Sequence, residues 1–127
     1  MKKKYLKILV SLGIIATTFT GVSAASVAIN HSVPTAQGYK YLSTKNKSTV
    51  SKSGTVILTK KEPDAVTFSA KADGGAYGDG TIVSKKNTEY TVHYKGTYGI
   101  GTPMTARFRN HNWSLNSNMI TGTFDYK

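Results

Sequence analysis

From about residue 54 to the end of the chain, apolar and polar side chains alternate with a period of two, the spacing of strands that bury one face and wet the other. The runs TVILT (55–59) and AVTFSA (65–70) flank KKEPD, whose Pro63-Asp64 is turn chemistry, and they predict a hairpin or two consecutive strands. GTIVS (80–84) and EYTVHYKG (89–96) are joined by the four polar residues KKNT, which predicts the clearest hairpin of the chain. In the second of these runs Tyr90, Val92 and Tyr94 point inward and Thr91, His93 and Lys95 outward. PMTARFR (103–109) buries Met104, Ala106 and Phe108 and turns Thr105, Arg107 and Arg109 to the other face. The final run, MITGTFDYK, sets Ile120, Gly122, Phe124 and Tyr126 on one side. No window after residue 25 repeats apolar residues at helical spacing, so the pattern predicts an all-β chain, a small antiparallel β-sandwich or a small barrel.

The pattern changes twice toward the N-terminus. Residues 25–53 are mostly Ser, Thr, Lys, Asn and Gly, which predicts a loosely ordered polar lead-in to the β domain at 54–127, with Tyr39, Tyr41 and Val50 as residues that could pin it to a sheet edge. Residues 1–24 have the three parts of a secretory signal peptide: Lys2, Lys3 and Lys4, an apolar stretch from Ile8 to Phe19, and the small residues of Val22-Ser23-Ala24. Cleavage is expected after Ala24, or one residue on after Ala25. An uncleaved anchor would need about 20 apolar residues, and Thr17, Thr18 and Thr20 interrupt the run, so no transmembrane span is expected in the mature form.

Secretion changes what the charge implies. Lys2, Lys3, Lys4 and Lys7 account for four of the 17 basic residues; the 13 left, against 6 acidic ones, put the mature part near +7. Such a charge favours anionic partners and raises association rates. For an exported protein these partners are envelope polymers or a lipid surface, although a merely self-repelling, soluble surface reads the same way. Nucleic acid is not expected: there is no aromatic RNP-type motif, and the charges are spread over many turns. The chain has no cysteine, so about 100 mature residues must hold one core by burial without a disulfide.

Candidate chemistry is sparse. The stretch ADGGAYGDGTIVS (72–84) offers Asp73 and Asp79 as weak metal ligands. Counted from Asp73, however, the twelfth position is Ser84 rather than a glutamate, and the single copy of GGAYGDG does not fit a stacked nonapeptide repeat. A glycine-permitted turn is the expected role, with no metal and no cofactor. His31, His93 and His111 lack a nucleophile elbow, an H-E-x-x-H pair and a paired-carboxylate cleft around them, which argues against an enzyme. RFRNHNWSLNSN (107–118) is the best binding candidate, because it gathers Arg107, Arg109, His111 and the sole tryptophan, Trp113. Of these, Trp113 is expected to plug the core at a strand start and the two arginines to face water.

The last 40 residues resemble the end of a family of small exported Gram-positive proteins catalogued as a domain of unknown function. Thr105, Ala106, Asn110 and Trp113 match its T-A-x-x-N-x-x-aromatic stretch, and Ile120, Gly122, Phe124 and Asp125 match the strand after it. Arg107, Arg109 and the Tyr126-Lys127 ending depart from that pattern. GGAYGDG followed by EYTVHYKG is also similar to lactococcin-type bacteriocins without lanthionine, though their many Trp and His residues are missing here. The resemblances imply a secreted, non-catalytic β protein that acts on competitor envelopes. The expectation is thus a cationic protein that binds anionic cell-envelope components, bacteriocin-like in character; the alternative is a structural, self-associating matrix protein.

Overall fold

A computed structural model describes residues 25–61, 64–115 and 118–127; the expected signal peptide, 1–24, lies outside them, as do Glu62 and Pro63 of the expected KKEPD turn. Among the described residues nine strands follow in order: β1 (Ser26–Val33), β2 (Lys40–Tyr41), β3 (Lys45–Asn46), β4 (Ser51–Lys60), β5 (Val66–Ala72), β6 (Thr81–Val83), β7 (Glu89–Tyr98), β8 (Pro103–Asn110) and β9 (Asn118–Asp125). They form two antiparallel sheets, ordered β1-β9-β4-β7 and β2-β8-β5-β6, with β3 on the same edge of β8 as β2. The sheets pack face to face, so the fold is a small all-β sandwich. Among the described residues no helix is long and apolar enough to cross a membrane.

The alternation read from the sequence does set the inward faces. Val56 and Leu58 of β4, Val92 and Tyr94 of β7, and Ile120 and Phe124 of β9 fill one side of the core. Val66, Phe68 and Ala70 of β5 and Met104, Ala106 and Phe108 of β8 fill the other. Ring contacts cross the interface: Phe68 lies 5.4 Å from Phe108 in its own sheet and 6.2 Å from Phe124 in the opposite one. Gly122 is required where β9 crosses β4, because a Cβ there would stand 2.0 Å from the Ile57 carbonyl oxygen.

Two expectations about how the strands connect are corrected. The lead-in is not loose: β1 pairs with β9 over eight residue pairs, from Ser26 opposite Asp125 to Val33 opposite Asn118, and buries Ile29 and Val33. Its inward positions are spaced by polar Asn30 and Ser32, so low overall apolar content hid a strand whose every second residue reaches the core. The hairpin expected between 80–84 and 89–96 does not form, and of the two arrangements expected for 55–59 and 65–70 the structure has the two consecutive strands, not the hairpin. β4 pairs with β9 and β7, whereas β5 pairs with β6 and β8, and the chain therefore changes sheet between β4 and β5 and again between β6 and β7. Alternation specifies which face of a strand is buried, and a hairpin and a sheet-to-sheet crossing bury that face equally well. The hairpin that does form joins β5 to β6 through the glycine-rich stretch.

Two polar side chains complete the core at the β2/β3 corner. Tyr126, fully buried and 4.8 Å from the Phe124 ring, reaches from the end of β9 into the gap between β2 and β3. There its hydroxyl accepts from the Ala106 N–H at 2.9 Å and donates to the Ser43 carbonyl at 3.0 Å. Lys47 is almost wholly buried; its Nζ donates to Ser51 Oγ and to the carbonyls of Tyr126 (3.3 Å) and Lys127 (2.8 Å), and it sits 5.0 Å from the Tyr94 ring. Burial lowers the Lys47 pKa from its ordinary value, and Asp125 partly opposes this. Lys47→Met keeps the stem but leaves these acceptors without their donor, so it is expected to cost about 1–3 kcal/mol. A urea midpoint that does not move would show that the ammonium contributes nothing there.

Candidate functional site

The outward face of β8 carries Thr105, Arg107 and Arg109, and the antiparallel register sets them beside Lys71, Ser69 and Thr67 of β5. On the other flank Tyr41 of β2 stands opposite Arg107, and Tyr39, two residues earlier, shares its face. Tyr77 comes from the β5–β6 loop. That loop opens with a turn in which Gly75 N–H donates to the Ala72 carbonyl (2.9 Å), with Gly74 at φ +74°. It then returns along β5, Gly78 N–H donating to the Ala70 carbonyl at 3.0 Å; a Cβ on Gly78 would lie 2.0 Å from the His93 carbonyl oxygen. The glycines thus let the loop lie against β7 and bring Tyr77 back over the sheet.

Cations and tyrosines alternate along this face. The Arg107 guanidinium carbon lies 3.8 Å from the centre of the Tyr39 ring and 3.7 Å from that of Tyr77. At such distances an edge-on guanidinium would drive a nitrogen into a ring, so Arg107 is stacked flat between the two. Its Nε donates to Ser69 Oγ at 3.2 Å. Arg109 lies 5.0 Å from Tyr39 and the Lys71 ammonium 5.3 Å from Tyr77, which completes the row Arg109, Tyr39, Arg107, Tyr77, Lys71. Among the described residues none of these three cations pairs with a carboxylate; the ion pair found there joins Lys95 to Asp79 at 3.7 Å. Burial raises the Tyr77 pKa, with Arg107 opposing and Tyr41 and Tyr39 adding to the rise. The phenol therefore stays neutral at physiological pH and cancels none of the positive charge.

The sequence candidates divide. Arg107 and Arg109 share this face, but they are half-buried rather than wet, and Arg109 Nε is buried with no hydrogen-bond partner among the described residues. His111 joins them indirectly: its Nδ1 is 3.1 Å from the hydroxyl of Thr67, the residue paired with Arg109. Trp113 does not plug the core; it is 64% exposed at the end of the sandwich. Asn110 takes the last inward place on β8, its amide donating to the Pro34 and Ala36 carbonyls, and Ser114 bridges to Ala36, which turns Trp113 and Leu115 outward. Asp73 lies in the turn and Asp79 on Lys95. No group of three or more His, Asp or Glu side chains that could hold a metal occurs among the described residues.

The residues that sequence reasoning missed are Tyr39, Tyr77 and Lys71 as partners of the arginines. The signal for Tyr39 was the GYKYL motif beside a strand edge; Tyr77 carried none, because the loop's return over the sheet is a tertiary event. Fold and face together define a small β-sandwich with a cationic, tyrosine-lined sheet surface. No family model, curated protein or solved structure matches the chain.

Proposed function

We propose that this is a secreted, non-catalytic protein that binds anionic polymers of the cell envelope through the outer face of the β8–β5 sheet. The observation that carries the reading is the row of Arg109, Arg107 and Lys71, interleaved with tyrosines and, among the described residues, without carboxylate partners. Buried or half-buried cations retain more of their field than freely solvated ones, and the surrounding excess of basic residues favours encounter with a polyanion. The rings add flat apolar surface for the uncharged parts of such a polymer. Resemblance to exported Gram-positive proteins, and to bacteriocins acting on competitor envelopes, is in keeping with a wall-bound target.

Binding to isolated Gram-positive cell walls is expected to fall steeply between 0.1 M and 1 M salt, as the Debye length shrinks from about 10 Å to about 3 Å. The Arg107→Ala/Arg109→Ala double variant is expected to lose at least tenfold in affinity, about 1.4 kcal/mol. Because Arg107 is stacked rather than free, the same variant also costs roughly 1–2 kcal/mol of stability, which a domain of this size can lose and stay folded. Co-sedimentation across the salt series measures both variant and wild type; retention that ignores salt sinks the proposal.

A further inference from the structure

We infer that Arg107 is a preorganised fork for one two-oxygen anion of the polymer, a phosphodiester in the first instance, with Arg109 and Lys71 serving the neighbouring charges. The inference rests on the polyanion reading above and specifies its chemistry. Tyr39 and Tyr77 cover both flat faces of the guanidinium, and Ser69 occupies its Nε. Among the described residues its two terminal nitrogens have no hydrogen-bond partner, so the in-plane edge that bears them is where a ligand can be met. That edge offers two parallel N–H groups, which match the paired oxygens of a phosphodiester or carboxylate and have no counterpart in an ammonium. Stacking also removes most of the freedom a surface arginine would otherwise lose on binding.

Spacing favours the phosphodiester. Arg107 and Arg109 are alternate residues of one strand and so stand about 6.6–6.8 Å apart along it. Two phosphorus atoms joined through a three-carbon polyol are separated by six bonds. Six bonds equal two residues' worth of extended main chain, roughly 7 Å. A glycerol phosphate polymer can thus place successive phosphates on Arg107 and Arg109 without leaving register.

The test is Arg107→Lys, which keeps the charge and loses the plane. Against poly(glycerol phosphate), measured by calorimetry over a salt series, Arg107→Lys is expected to bind about tenfold more weakly than wild type, with the salt slope unchanged. Arg107→Ala should bind more weakly still, with the slope reduced by about one. Lys52→Ala, an exposed charge on β4 of the other sheet, should change affinity less than twofold. Tyr77→Leu removes one side of the stack from a loop position and should lose severalfold in affinity; it keeps the test decisive should Arg107→Lys fail to fold, as thermal melts will show. Poly-glutamate provides the carboxylate arm: an equal loss by Arg107→Lys there assigns the fork to carboxylates as well. If Arg107→Lys and Tyr77→Leu bind both polymers within twofold of wild type while Arg107→Ala does not, charge alone is read and the fork is wrong, though the polyanion reading stands. If wild type binds neither polymer, nor cell walls, that reading falls instead.

Discussion

Phe68→Ala is expected to remove about 3–5 kcal/mol of stability, the range for truncating a fully buried Phe. The whole domain has only about 5–15 kcal/mol to lose. Phe68 is singled out because its ring touches both Phe108 and Phe124, and Phe124 belongs to the opposite sheet. Truncation leaves a cavity between two sheets that each have their own hydrogen-bond ladders and little freedom to move together. At about 4 °C or more for each kcal/mol in a chain of this length, the melting temperature should drop by roughly 12 °C or more. Ile82→Ala is the control; its side chain lies half exposed on β6, next to β5, and should cost no more than about 0.5 kcal/mol. Calorimetry of the two variants decides the matter. A loss under about 1 kcal/mol for Phe68→Ala would mean that the ring does not fill the core between the sheets.

A second large effect should appear in alkali. Burial pushes both Tyr94 and Tyr126 well above the ordinary tyrosine pKa of 10. For Tyr94 the neighbouring Tyr126 and Asp125 add to the rise; for Tyr126 the Ala106 N–H opposes it and Tyr77 adds to it. Both hydroxyls are donors in the folded protein, to the Tyr126 and Ser43 carbonyls. Above pH 10 the unfolded chain gives up these two protons while the folded one keeps them. Their contribution is therefore intact below pH 10 and is lost as pH climbs beyond it, by up to about 1.4 kcal/mol per pH unit for each tyrosine. Lys47 works in the opposite direction, since its pKa is lowered on folding, but its gain is complete once an unfolded lysine has titrated near 10.5. Urea midpoints measured from pH 8 to 11.5 should hold or rise up to about pH 10 and then fall. Tyr94→Phe should roughly halve the slope of that fall. A midpoint constant over the whole range would exclude the burial of both phenols.

These two predictions draw on the part of the fold that was legible in the residues. Phe68, Phe108 and Phe124 occupy inward positions of period-two runs, and such a run needs nothing but itself to declare its buried face. Pairing is another matter. TVILT and AVTFSA satisfy a hairpin as well as they satisfy two sheets, and the choice is made by β9, which takes one neighbouring place on β4 that a hairpin partner would need. SVAINHSV looked too polar to be ordered, yet Ile29 and Val33 need only fall on the inner face to earn it a place beside β9.

The site was half legible for similar reasons. Arg107 and Arg109 share a face because they are two residues apart, and that much the spacing dictates. Their stacking depends on Tyr39, some 70 residues earlier, and on Tyr77 in a loop, neither of which any local pattern ties to β8. Trp113 was misjudged because a large apolar ring is ordinarily buried. Here Asn110 holds the last inward position of its strand through two carbonyls of the 34–36 segment, and no inward place on β8 remains for the indole.

The pairing of β1 with β9 has a kinetic consequence. The first strand of the sandwich finds its neighbour almost at the opposite end of the chain, and β9 also fills the position between β1 and β4. A ribosome that has released everything up to β8 has made a polypeptide whose first sheet lacks its middle. Closing loops that long precedes any reward from the contacts they bring together, and this places the protein among slow, all-or-none folders. The sheet that holds β1 and β4 therefore cannot close until β9 has been made.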